Sequence, residues 1–268
     1  MMTMIEHLLP LIGAGMVAGF LAGLLGIGGG IVTIPALFIV FDSLGVPIEW
    51  RMHTSIATSL AIIVATNLSS VRAHHKRGGV EWPIVKDWWW AIALGAVAGA
   101  FFAKTLKTAE LIYIFAGLAT LLALKMLLPL DKYKLGETLP SGLFRYLNPG
   151  IIGFFSAVMG IGGGSFSVPY LTLYNIPIQK AVGTASLIGL VISVSGGLGY
   201  LFGGLDVAGL PAGMIGFIHL PSLVIVAIAA VGCAPFGAKV AHAIPKRLLS
   251  IAFGSFLVLA TIRLLMSV

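Results

Sequence analysis

The chain has 268 residues, of which 59% are hydrophobic and only 9% charged. Soluble domains are closer to a quarter charged, so a water-soluble globular protein is excluded. The net charge of +7 therefore bears on how loops sit at a membrane, not on nucleic acid.

Apolar runs cover about 5–25, 31–47, 52–71, 87–106, 109–129, 148–159, 164–176, 181–202, 218–240 and 246–266. Most are long enough for a helical span of about 20 residues. They are apolar throughout and lack the alternation of a spanning β-barrel. The expected fold is an all-α polytopic membrane protein with 8–10 membrane segments. The first run has no basic residue before it and no small-residue cleavage site, so it reads as part of the mature chain.

The first and second runs meet at GIGGG, residues 26–30, and the sixth and seventh meet at a second GIGGG, 160–164. Glycine costs about 0.5–1 kcal/mol against alanine inside a helix. Consecutive glycines also point in different directions, so helix packing explains them poorly. Spaced glycines fit packing better: Gly15, Gly19 and Gly23, then Gly95 and Gly99. The triple glycines predict interrupted helices, either re-entrant hairpins or broken crossings. Each following half-helix then starts with free N–H groups and a partial positive charge, which suits an anion.

The candidate binding groups are the backbone of Gly28, Gly29, Gly30, Gly162, Gly163 and Gly164. Thr33, Ser165 and Ser167 add hydroxyls on the first turns beyond the glycines. These hydroxyls could equally bond their own helix carbonyls. Between 52 and 71 runs a polar face of Ser55, Ser59, Asn67 and Ser70, flanked by Thr58. It fits either a hydrated path or interhelical hydrogen bonds, with Asn67 the best single candidate. Thr184, Ser186 and Ser193 occupy the partner run.

The two glycine motifs head a longer repeat. GIGGGIVTIPAL at 26 pairs with GIGGGSFSVPYL at 160, and SIATSL with AVGTAS. GGVE at 78–81 pairs with GGLD at 203–206. The spacing rises to 138 residues at Phe115 and Phe253. Each half carries an odd number of crossings, so homologous halves must insert in opposite senses. The expected architecture is two inverted-topology repeats, each a re-entrant or broken helix pair plus three transmembrane helices. Their bounds are 1–130 and 148–268, joined by a cytoplasmic linker at 131–147.

Counting lysines and arginines by face puts twelve on one side and four on the other. The positive-inside rule makes the richer side cytoplasmic and sends both termini outward. Trp50, Trp82, Trp88, Trp89 and Trp90 fall at segment ends, as interfacial anchors do. No acidic residue or histidine falls at mid-membrane, so an embedded carboxylate relay is absent from the sequence pattern. Clustered metal ligands, a Ser–His–Asp set and HExxH are also absent, so no metal, no cofactor and no enzymatic activity is expected. Cys233, the single cysteine, reads as a packing residue.

GLLGIGGGIVTIPAL, SIATSLAIIV, VRAHHKRGGVEW, GIGGGSFSVPYL, KAVGTASLIG and GFIHLPSL together resemble the sulfite exporter TauE/SafE family over about residues 8–266. The resemblance implies a prokaryotic inner-membrane permease for small sulfur-containing anions. It carries binding to the two GIGGG motifs and to Thr58, Ser59 and Thr184. The combined expectation is a secondary transporter, in the export direction, of sulfite, organosulfonates or related oxyanions. Its partners would be a small anion and the lipid bilayer, with no nucleic acid; small-residue faces permit a homodimer. A passive anion channel and a non-transporting scaffold subunit are the alternatives.

Overall fold

A computed structural model describes residues 2–25, 29–127, 134–243 and 246–267. Within them, side chains are described except those of 2–7, 22–25, 126, 238–239, 241–243, 246–247, 249–250 and 252–253. Ten helices are described: α1 Met2–Leu25, α2 Gly30–Ser43, α3 Ile48–His75, α4 Trp82–Lys104, α5 Thr108–Leu127, α6 Phe144–Met159, α7 Gly164–Leu173, α8 Ile178–Gly203, α9 Leu220–Ala243 and α10 Lys246–Leu265. Each matches one apolar run of the sequence. Five are long and apolar enough to cross a membrane, within α3, α4, α5, α8 and α9. The chain is a multi-pass helical membrane protein.

Helix α6 begins at Phe144, four residues earlier than its apolar run, so the C-terminal end of the expected 131–147 linker is helical. The described part of that linker lies against the end of α7. The Leu135 amide donates to the Leu173 carbonyl at 2.9 Å, and the Lys134 ammonium bonds the Asn175 side chain.

Packing follows the small residues. A Cβ on Gly19 would lie 2.1 Å from the Ala230 carbonyl oxygen, and one on Gly15 2.7 Å from the Ala229 Cβ. These contacts bring α1 flat against α9. On the other side, a Cβ on Gly95 would lie 2.0 Å from the Gly150 carbonyl, and one on Gly99 2.5 Å from that of Phe154. This sets α4 against α6. Backbone approach this close is the small-residue packing of membrane helices. The Gly23 side of α1 lies outside the described side chains.

Helices α3 and α8 cross at the centre, with α2 lying on α3 and α7 on α8. Helices α5 and α10 pack on each other at the periphery. Trp88 does not serve as an anchor in lipid: it is 2% exposed and stacks edge-on against Tyr170. Trp82, Trp89 and Trp90 remain exposed. The reason is helical phase: Trp88 falls one turn along from the buried Val85 and before the buried Ile92, on the core face of α4.

The segment between α8 and α9 forms a hairpin that the sequence pattern did not reveal. Strands β1 (Met214–Ile215) and β2 (Ile218–His219) pair antiparallel, Met214 with His219 and Ile215 with Ile218. Gly216 opens the two-residue turn at φ +53°, which a side chain would strain.

Candidate functional site

The second GIGGG breaks the helix. Helix α6 stops at Met159, and Gly160 takes the left-handed conformation at φ +64°. The Gly160 amide donates to the Ala157 carbonyl and the Ile161 amide to that of Ser156. These paired bonds form a Schellman cap, which ends a helix when glycine supplies positive φ. Helix α7 restarts at Gly164, with its first return bond from the Ser167 amide to the Gly163 carbonyl at 2.7 Å. Its ten residues span about 15 Å, half the hydrocarbon thickness. All five residues of the motif, including Gly162, Gly163 and Gly164, are buried.

The first GIGGG differs in detail. Gly29 takes the left-handed conformation at φ +75° and caps α2, which starts at Gly30. Gly28 lies outside the described residues. The two motifs lie against each other. A Cβ on Gly30 would sit 2.7 Å from the Gly160 carbonyl oxygen and 2.6 Å from Ile63 Cδ1.

Among the described residues, three of the five unsatisfied buried side-chain atoms flank the second break, the others being His53 Nδ1 and Thr261 Oγ1. Ser156, Ser165 and Ser167 have buried hydroxyls with no hydrogen-bond partner, at 0%, 6% and 0% exposure. All three flank the second GIGGG. Buried hydroxyls are bonded in the large majority of cases, so three together set this break apart. The Ser167 hydroxyl lies 3.3 Å from where a Gly163 Cβ would be. Gly189 on α8 packs closely against two further groups. A Cβ there would stand 2.5 Å from Asn67 Nδ2 and 3.1 Å from the Gly163 amide nitrogen. Asn67 is 4% exposed. The α3 carboxamide and the Gly163 amide thus meet beside a residue with no side chain.

The other sequence candidates are engaged with the protein. The Thr33 hydroxyl donates to the Gly29 carbonyl at 3.0 Å, its own helix four residues back. Ser59 donates to the Gly160 carbonyl at 3.0 Å, tying α3 to the broken helix. Thr58 accepts the His219 amide at 3.1 Å, and Thr184 accepts the Glu81 amide at 2.9 Å. Along the polar face of α3, Ser55 donates to the Arg51 carbonyl and Ser70 bonds Ser186 across to α8.

Sequence reasoning missed Ser156 and Gly189. Ser156 stands alone in an apolar run, and its repeat counterpart at the same 134-residue spacing is Ala22, which has no hydroxyl to draw attention to the pair. Gly189 is an isolated glycine in a spanning helix, which ordinarily means packing. The repeat pairing also needs correction. Thr184 holds Glu81 while Thr58 holds His219, so GGVEWP at 78–83 corresponds to GFIHLP at 216–221 rather than to GGLD. Gly78 and Gly216 both have positive φ, and the 138-residue spacing is the one already seen at Phe115 and Phe253.

The chain matches the family model described as Sulfite exporter TauE/SafE over residues 11–264. The chain belongs to the TauE/SafE family. Similar proteins include a probable membrane transporter protein of Haemophilus influenzae, 33% identical over 93% of this chain and 95% of that one. The probable membrane transporter protein YdhB of Bacillus subtilis is 29% identical over 87% of this chain and 90% of its own length. A third, from Methanocaldococcus jannaschii, is 27% identical with 93% and 92% covered. No solved structure matches. Family and relatives make this TauE/SafE member one of a group of membrane transporters.

Proposed function

We propose that this protein is a secondary transporter exporting small anions, such as sulfite or organosulfonates, by alternating access around the second GIGGG. The observation that carries the reading is the set of three unpartnered buried hydroxyls, Ser156, Ser165 and Ser167, at the α6–α7 break. Each hydroxyl has one donor to give. The Asn67 carboxamide and the Gly163 amide, which meet at Gly189, would add two neutral donors to such a subsite. An oxyanion matches such a subsite, because the start of α7 also carries a partial positive charge. A cation would meet the wrong end of that dipole.

Two related halves inserted in opposite senses give the rocking element. In support, α1 packs on α9 as α6 packs on α4, and α2 lies on α3 as α7 lies on α8. Exchanging α1–α5 with α6–α10 turns each contact into the other. The ion pairs Lys104–Asp206, Arg145–Asp87 and Lys180–Glu81 also join only segments that crossing parity assigns to one face. The basic-rich face is taken as cytoplasmic and both termini as outward, in a prokaryotic inner membrane.

Purified protein titrated with sulfite, methanesulfonate and sulfate, followed by counterflow in proteoliposomes, tests the proposal. A thermal shift with at least one sulfur oxyanion, and accumulation of label against a gradient, are expected. Binding without counterflow would make the protein a channel. No binding by any of these anions, nor by small carboxylates, would leave a scaffold.

A further inference from the structure

Thr58 and Thr184 stand at corresponding positions of the repeat, 126 residues apart. Each is fully buried. Each spends its hydroxyl on one backbone amide: that of the residue immediately before α9 in one case and before α4 in the other. The two amides belong to connections at opposite ends of the α3–α8 crossing. We infer that Thr58 and Thr184 are paired positioning residues, each latching one of the two mouths of the transport path.

The mouth held by Thr58 is the 214–219 hairpin. Thr58 is the eleventh residue of α3, so at 1.5 Å per residue the hairpin reaches about 15 Å along the helix. Its tip is wedged into the bundle. A Cβ on Gly216 would lie 2.1 Å from the Leu201 carbonyl, and one on Gly204 2.5 Å from the Phe217 amide. Phe217 is fully buried, with ring centroids 5.3 Å from Trp50 and 5.4 Å from His53. His219 bonds the Ser222 hydroxyl at 2.7 Å. Next along α3, Ser59 bonds the Gly160 carbonyl of the broken helix. Adjacent residues of one helix thus hold the hairpin and the binding region.

The mouth held by Thr184 is the 78–81 connection. A Cβ on the neighbouring Gly183 would lie 2.1 Å from the Gly79 carbonyl. Glu81 pairs with Lys180 at 2.6 Å. Further along α8, Gly189 lies against Gly163 and Asn67. The arrangement repeats that of α3: latch and binding region share one helix. With both bonds made, both connections are pinned, and Asn67 and Gly163 pack closely against Gly189. Alternating access requires releasing one bond while the other holds.

The inference rests on the transporter reading only for its meaning, since its test uses no substrate. In a Cys233→Ser background, which removes the single cysteine, Ile218→Cys or Val80→Cys reports on one mouth each. Labelling by a membrane-impermeant thiol reagent is measured from each side of sealed vesicles. Thr58→Val keeps the shape but removes the acceptor, leaving the His219 amide buried and unpaired. Labelling at Ile218→Cys should rise about ten-fold, with Val80→Cys unchanged and the response confined to one side. Thr184→Val should do the reverse, from the opposite side. Thr58→Ser and Thr184→Ser, which retain the acceptor, should restore the parent rates. If Thr58→Val does not accumulate in membranes, Thr58→Ala carries the same expectation. Equal increases at both reporters in either variant would make the bonds merely structural and overturn the inference; so would unchanged labelling.

Discussion

The two GIGGG motifs have the same five letters and different surroundings. At the first, Thr33 is bonded back to Gly29, position 31 is isoleucine, and Gly30 is wedged between Ile63 and the Gly160 carbonyl. At the second, Ser165 replaces the isoleucine, and the hydroxyls of Ser165, Ser167 and the nearby Ser156 have no partner. Both motifs interrupt a helix, because consecutive glycines weaken it wherever they stand. Among the described residues, the second combines the interruption with unpartnered buried hydroxyls. Duplicated sequence fixes the backbone device, and the side chains decide which copy leaves hydroxyls unpartnered among the described residues.

The largest expected effect separates the two copies. Replacing Ser165 and Ser167 together by alanine should reduce anion affinity by about two to four orders of magnitude, since each hydrogen bond to a charged group contributes about 1.5–3 kcal/mol. Thr33→Val, at the matching place of the first copy, should leave affinity within a factor of about three. Calorimetric titration of the purified variants reads both.

Packing glycines should invert that ranking. Gly30→Ala would place a methyl 2.7 Å from the Gly160 carbonyl, and overpacking of this kind costs about 1–3 kcal/mol. Thermal unfolding in detergent should fall for Gly30→Ala. Gly189→Ala should instead displace Asn67 and lower anion affinity with the smaller loss in stability. Equal stability losses for the two would erase the distinction.

The exposed Lys104–Asp206 pair should matter least: Asp206→Asn is expected to change stability by under about 1 kcal/mol.

Most of the helical layout was legible in the residues. The apolar runs anticipated all ten described helices, and the glycines marked where α6 gives way to α7. Gly15, Gly19, Gly95 and Gly99 read correctly as packing residues because their spacing of four is a local property of one helix face. What escaped the sequence depends on distant partners. The hairpin strands are two residues long, too short for a periodic signal, and are held by Thr58 161 residues away. Trp88 reads as an anchor until α6 and α7 cover it. Ser156 becomes informative only because no neighbour supplies a partner, and Gly189 only because Asn67 and Gly163 face the same point. The partial match of GGVE to GGLD misled because both are short; the hydrogen bonds of Thr58 and Thr184 select GFIH instead.

The account depends on the second break being the place where the anion sits. Structure determination of the purified protein with a bound, electron-dense sulfonate or selenite measures this directly. Density within hydrogen-bond distance of Ser165, Ser167 and the Gly163 amide, lost in the Ser165→Ala/Ser167→Ala variant, is the predicted result. An anion seated at the first break beside Thr33, or away from both breaks with affinity unchanged in that variant, would contradict it.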